Sequence, residues 1–318
     1  MKKIILKISV LFIVITAFLS CDESFSPKGE FEDGYSLFCV IDGNSSTQTA
    51  YLTKNYNPSD LNPQSYLEDK SINGAELELI YPDTTYKFFD TTLTGEDSKY
   101  YTAYNLRGFK ASGGNLQIKS TMPDGQVLIS NVQSTRNLRF TYETIRPIIY
   151  DIKGAYKIAF YDKPEPFYFS PKLFINYSIK KGNAYVHYRI EVPIKYYETG
   201  DKENPIYPPL ASRIEYFYRI ASIEKTLRKI KEVSAESSQI FIIDLSVEVL
   251  ETSEPLAYYY AITETFNDGF TVQLNQPEFT NIEGGNGLFG YKYMSKVTVG
   301  FAPEWRPVIE DMGYMFGK

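Results

Sequence analysis

From Tyr35 onward the chain alternates apolar and polar residues in short runs broken by turn chemistry, the period-two pattern of half-buried strands. The runs predict strands at 35–41, 49–56, 75–81, 85–89, 115–122 and 126–132. Pro123-Asp124-Gly125 joins the last two as a hairpin, because Pro presets one turn angle and Gly accepts positive φ. A second series follows at 155–161, 172–180, 183–192, 240–250, 257–264 and 297–301, with a Lys-Lys-Gly-Asn turn at 180–183. Only one stretch has helical spacing. Ser222 caps it, Ile223, Leu227 and Ile230 form its apolar stripe, and Lys229 and Lys231 suit its C-terminal dipole. The segments 57–73 and 198–209 read as long loops, and 135–147 as a passage between two halves.

This pattern predicts an all-β protein of two β-sandwich-like domains, 35–147 and 148–318, with one short helix. Composition agrees, since 28 Tyr, 21 Phe and one Trp raise the strand-favouring fraction. The same count excludes much chemistry. A single His and two Cys leave no parts for a histidine triad, a His-rich metal site or a Cys cluster. His187, Arg189 and Glu191 alternate onto a predicted solvent face, opposite Val186, Tyr188, Ile190 and Val192. No P-loop, dinucleotide fingerprint, Gly-x-Ser-x-Gly elbow or His-Glu-x-x-His occurs. No catalytic residue and no cofactor is expected, and solvated charge is the favoured reading of the acidic loops at 96–98 and 201–204.

The N-terminus carries an address. Met1-Lys2-Lys3 and Lys7 precede an uncharged apolar run, 8–18, shorter than the roughly 20 residues of a membrane span. The run ends Phe18-Leu19-Ser20-Cys21, which resembles the lipobox of bacterial lipoproteins, with Phe18 where Leu is usual. The resemblance implies cleavage of a 1–20 signal peptide and lipidation of Cys21, followed by a tether over 21–34. An ordinary signal peptide with an incidental Cys is the alternative. Asp22-Glu23 resembles the acidic export signal of surface lipoproteins, so the cell surface is expected, with the periplasmic face of the outer membrane as the rival. Cys39 then has no partner and reads as a buried strand thiol. The net charge of −6, without a basic stretch, argues against nucleic acid.

Tyr100-Tyr101-Tyr104, Tyr196-Tyr197 and Tyr258-Tyr259-Tyr260 could offer flat faces to sugars, although strand and core composition accounts for most of them. The densest motif is Asn281-Ile282-Glu283-Gly284-Gly285-Asn286-Gly287-Leu288-Phe289-Gly290, with four glycines in seven residues. It predicts a backbone path that needs positive φ or close approach, rather than an anion-binding nest. Asn281, Gly284, Gly285, Gly287, Phe289 and Gly290 also match a C-terminal signature of a Bacteroidota lipoprotein family, domain of unknown function 4249. The segments 74–79, 115–118, 123–125 and 256–260 are similar to that family in order along the chain. The resemblance implies a cell-envelope lipoprotein with an Ig-like or carboxypeptidase-regulatory-like N-terminal domain. It also implies an accessory role beside a TonB-dependent outer-membrane transporter, and a non-enzymatic protein that acts through protein contacts is the leading expectation. A surface glycan- or nutrient-binding lipoprotein is the second expectation.

Overall fold

A computed structural model describes residues 34–55, 71–94, 100–135, 138–148, 154–161, 167–199, 202–232, 234, 239–263 and 279–317. Cys21, Asp22 and Glu23, the signal peptide, the tether up to Asp33 and most of the 57–73 loop lie outside the described residues. Gly34–Lys54 and Asp69–Lys318 belong to one unit. Its first elements are β1 (Tyr35–Asp42), β2 (Thr47–Lys54), β3 (Glu76–Tyr81), β4 (Thr84–Lys87), β5 (Phe89–Thr94), β6 (Tyr100–Arg107), β7 (Gly114–Thr121), β8 (Val127–Ser134) and α1 (Tyr142–Ile145). Then come β9 (Ala155–Ala159), β10 (Phe167–Lys181), β11 (Ala184–Val192), β12 (Lys195–Thr199), β13 (Lys202–Ile206), β14 (Glu215–Arg219) and α2 (Ile220–Glu232). The chain continues through β15 (Gln239–Ser253), α3 (Glu254–Thr263), β16 (Asn286–Val299), α4 (Trp305–Asp311) and β17 (Met315–Phe316).

The fold is all-β and sandwich-like. A nine-stranded sheet runs β11-β10-β15-β16-β1-β2-β6-β5, with β17 added to β15. A four-stranded sheet, β4-β3-β7-β8, faces one end of it, and β9 pairs with β14 near the other. Alternation decides which side chains meet. Leu37, Cys39 and Ile41 of β1 point into a core with Leu79, Leu116, Ile118 and Leu128 of the smaller sheet. A second core joins Leu173, Ile175, Leu245 and Val247 to Tyr218, Ile223, Leu227 and Trp305. On the opposite face of the large sheet, Phe38 and Leu288 pack under Leu256, Tyr259 and Tyr260 of α3.

The large sheet passes straight across the expected 147/148 boundary, with β1, β2, β5 and β6 on one side of it and β10, β11, β15 and β16 on the other. The join is a parallel ladder of β1 on β16, from Ser36 opposite Asn286 to Asp42 opposite Lys292. Ile282, Phe289 and Tyr291 accordingly belong to the N-terminal core, while Leu138 belongs to the C-terminal one.

Four expectations change. The described residues contain four helices rather than one. The predicted strand at 257–264 is helix α3, where Pro255 in the first turn costs no intrahelical bond. Burial of Leu256, Ala257, Tyr259 and Tyr260 there outweighs the strand preference of tyrosine. The predicted 198–209 loop holds the β12–β13 hairpin. Finally, Val186 and Tyr188 are exposed rather than core-facing, because β11 is an edge strand and is buried only near Val192.

Candidate functional site

The glycine motif forms a clasp between the two sheets. Asn281 lies just before β16, and its side-chain amide reads the main chain of Phe289 in both directions. Nδ2 donates to the Phe289 carbonyl at 2.8 Å, and Oδ1 accepts from the Phe289 N–H at 2.9 Å. On its other side the segment meets the outer edge of β8. Glu283 and Ile129 exchange backbone hydrogen bonds at 2.8 and 3.1 Å, Ser130 Oγ donates to the Asn281 carbonyl, and Gln126 Nε2 donates to the Gly284 carbonyl. One ten-residue stretch thus closes an edge of the small sheet and starts a central strand of the large one.

The glycines are required by space as much as by torsion. Gly284 has φ +82°, and a Cβ there would lie 2.3 Å from the Val127 carbonyl oxygen. Gly287 has φ +117°, and its Cβ would lie 2.0 Å from the Leu37 carbonyl oxygen. Gly285 lies outside the left-handed region; close approach alone excludes a side chain, at 2.5 Å from the Tyr35 carbonyl oxygen. At Gly290 the missing side chain seats Leu256, whose Cβ would be 3.0 Å away, so α3 rests on the sheet at that residue. Phe289 is fully buried in the N-terminal core. Each backbone amide placed above faces a protein carbonyl or side chain, which is the arrangement of a structural clasp.

Tyr35 and Asp124 reinforce it from outside. The Tyr35 hydroxyl donates to Asp124 Oδ2 at 2.7 Å, tying the start of β1 to the β7–β8 turn. The Gln126 N–H and this hydroxyl hold the Asp124 carboxyl below the usual carboxylate range.

A shallow groove on the outer face of the large sheet is lined by Asn176, His187, Arg189, Asp244 and Lys296. There the Asn176 amide donates to Asp244 at 2.6 Å, and Glu248 accepts from Arg189 at 2.8 Å with Lys296 at 3.3 Å. His187 lies on the rim of this groove, at an exposed edge-strand position. Among the described residues no group of three or more His, Cys, Asp or Glu is placed to hold a metal ion. Cys39 is a buried free thiol, and burial pushes its pKa up, away from thiolate chemistry.

The tyrosine clusters separate by environment. Tyr104 is fully buried, and its hydroxyl donates to the Ile72 carbonyl. The ammonium groups of Lys225 and Lys229 lie 4.3 and 4.8 Å from the Tyr196 ring, which pins the β12–β13 hairpin to α2. Tyr259 and Tyr260 are core. Tyr258 is half-exposed, and its ring is nearly parallel to Phe279, at 29° and 6.3 Å, with Tyr168 tilted against it at 6.3 Å. Sequence spacing does not reveal this last cluster, because its members come from β10, α3 and the segment before β16.

Glu251 is another residue that the pattern hides. It is fully buried in β15, within the electrostatic reach of Tyr291. Burial and that carboxyl both push the Tyr291 phenol up, although its hydroxyl donates to the Thr135 carbonyl at 3.2 Å. No protein-family model and no curated protein matches the chain.

Proposed function

We propose that this chain is a lipid-anchored outer-membrane protein that acts through protein contacts, as an accessory to TonB-dependent transport or surface assembly, and not as an enzyme. The observation that carries the reading is the N-terminal address: a basic start, an uncharged apolar run and Ser20-Cys21, followed at once by Asp22-Glu23. Cys21 carries the lipid, and Asp22 and Glu23 direct the body to the cell surface. Two acyl-type anchors suffice for stable attachment where one does not, since each buried methylene contributes roughly 0.8 kcal/mol. The non-catalytic part is supported by the use to which the densest motif is put. Asn281 and its glycines join two sheets, and their polar groups are spent on the protein's own backbone.

Affinity purification of the tagged chain from native membranes tests this. Stoichiometric recovery of a TonB-dependent transporter is expected. Recovery of the chain alone, under conditions that preserve other membrane complexes, contradicts it.

One observation favours the glycan-binding alternative. The near-parallel Tyr258–Phe279 pair, flanked by Tyr168, combines ring faces with phenolic hydroxyls, the chemistry that stacks on a pyranose. Titration of the wild type and Tyr258→Ala with soluble polysaccharides separates the readings. Saturable binding that is lost in the variant establishes the second; its absence in both leaves protein contact alone.

A further inference from the structure

The two larger sheets have four outer edges, and three of them are guarded. The edge of β8 is closed by the backbone bridge from Glu283 to Ile129. At the β11 edge, Arg189 and Glu191 place charge along the strand, and α2 packs beside it. In the small sheet β4 is only four residues long and ends in Lys87. Such short, charged or covered edges are how proteins prevent unwanted strand addition.

Strand β5 is the least guarded, with Asp90 as its one charge. It is six residues long, regular in its pairing with β6, and reads Phe89-Asp90-Thr91-Thr92-Leu93-Thr94. It contains neither Lys nor Pro, and no described strand pairs with its outer side. Thr91 and Leu93 are half-buried, the other four residues are exposed, and Phe89 is 70% exposed.

We infer that β5 is a self-pairing edge: two copies of this chain join antiparallel through β5, about a two-fold axis at Thr92. The sequence is self-complementary in that register. Thr92 faces Thr92, Thr91 faces Leu93, and the single charge, Asp90, faces Thr94 rather than its own copy. Registers centred one residue towards the N-terminus bring the two Asp90 side chains closer together. The pairing extends the nine-stranded sheet into one continuous sheet through both copies and places both Phe89 rings on the same face. A ladder of five residues a side buries less than the roughly 1,200 Å² of a stable interface. The dimer is therefore weak, and it forms when copies are concentrated.

Sedimentation of the full chain in detergent, from micromolar to near-millimolar protein, should show the mass rising towards twice the monomer. Thr92→Lys puts two ammonium groups on the axis and should hold the mass at monomer throughout. Thr92→Cys should give a disulfide between the two copies of position 92, identified as the linked peptide; Asp90→Cys, which has no symmetric mate, should link at most a tenth as much. The cysteine pair stands as a test even if Thr92→Lys fails to fold. A wild type that stays monomeric overturns the inference, including one that instead takes up a strand of another protein. So does a dimer unchanged by Thr92→Lys, or equal linking by the two cysteine variants.

Discussion

Asn281 and Phe289 are joined by two hydrogen bonds across eight residues, one amide side chain satisfying both the N–H and the carbonyl of a buried strand residue. That pairing fixes the turn in which Gly284, Gly285 and Gly287 lie. It also sets where β16 enters between β1 and β15.

Replacing Asn281 with Ala removes both bonds and strands two main-chain groups beside the core. At about 1 kcal/mol net per bond, and more where a group is left unsatisfied, urea denaturation should show a loss of about 2–4 kcal/mol. Asn281→Asp keeps the acceptor but sets a carboxylate against the Phe289 carbonyl, and should cost at least as much as Ala. A loss under about 0.5 kcal/mol in both variants would mean that the clasp does not hold the strand.

The glycines should rank by what their missing side chains would strike. Gly287→Ala combines φ +117° with a clash against the Leu37 carbonyl and should prevent folding or lower Tm the most. Gly285→Ala should come next, through the Tyr35 carbonyl and Leu128. Gly290→Ala meets only the side chain of Leu256 and should be mild, shifting α3. Gly125, at φ +92° with nothing within 4 Å, is the control for torsion alone, worth about 1 kcal/mol. Thermal melts of the four variants check the order; a Gly125 variant as damaged as Gly287 would refute the spatial explanation.

The alkaline limb of stability follows from the buried phenols. Burial raises Tyr156, Tyr216 and Tyr291 above the ordinary tyrosine value, and Tyr314 is pushed up to about 12. The folded chain holds these protons while the unfolded chain releases them near pH 10, so their stabilisation is complete below about pH 10 and is lost as pH rises towards the folded values. Tyrosinate absorbance should therefore appear in two parts. The buried set contributes its part only together with the loss of strand circular dichroism. One smooth titration of all tyrosines in a still-folded chain would contradict the assigned burial.

The sequence reveals much of the local structure, because strand period and turn chemistry act over short range. Leu37, Cys39 and Ile41 alternate visibly, and Pro123-Asp124-Gly125 announces its hairpin. What it conceals is tertiary. Tyr258 to Tyr260 carry strand preference, yet they lie in α3, because Gly290 leaves room for Leu256 to dock a helix. The glycine segment reads as a tight backbone path, whereas Asn286 onward is strand, and Leu288, Phe289 and Tyr291 supply the alternation in retrospect. Parallel pairing of β1 with β16, some 250 residues apart, leaves no local trace at all. The clasp residues stood out by composition; their partners, Val127, Ile129 and Leu37, did not, because ordinary β residues become specific only through the register they occupy.

Tethering through Cys21 is tested most directly by metabolic labelling with radiolabelled palmitate. Wild-type chain should carry the label and partition with the outer membrane, while Cys21→Ala should be unlabelled and released. Equal labelling of the two, or membrane retention of the variant, would contradict the lipid anchor and the function proposed from it.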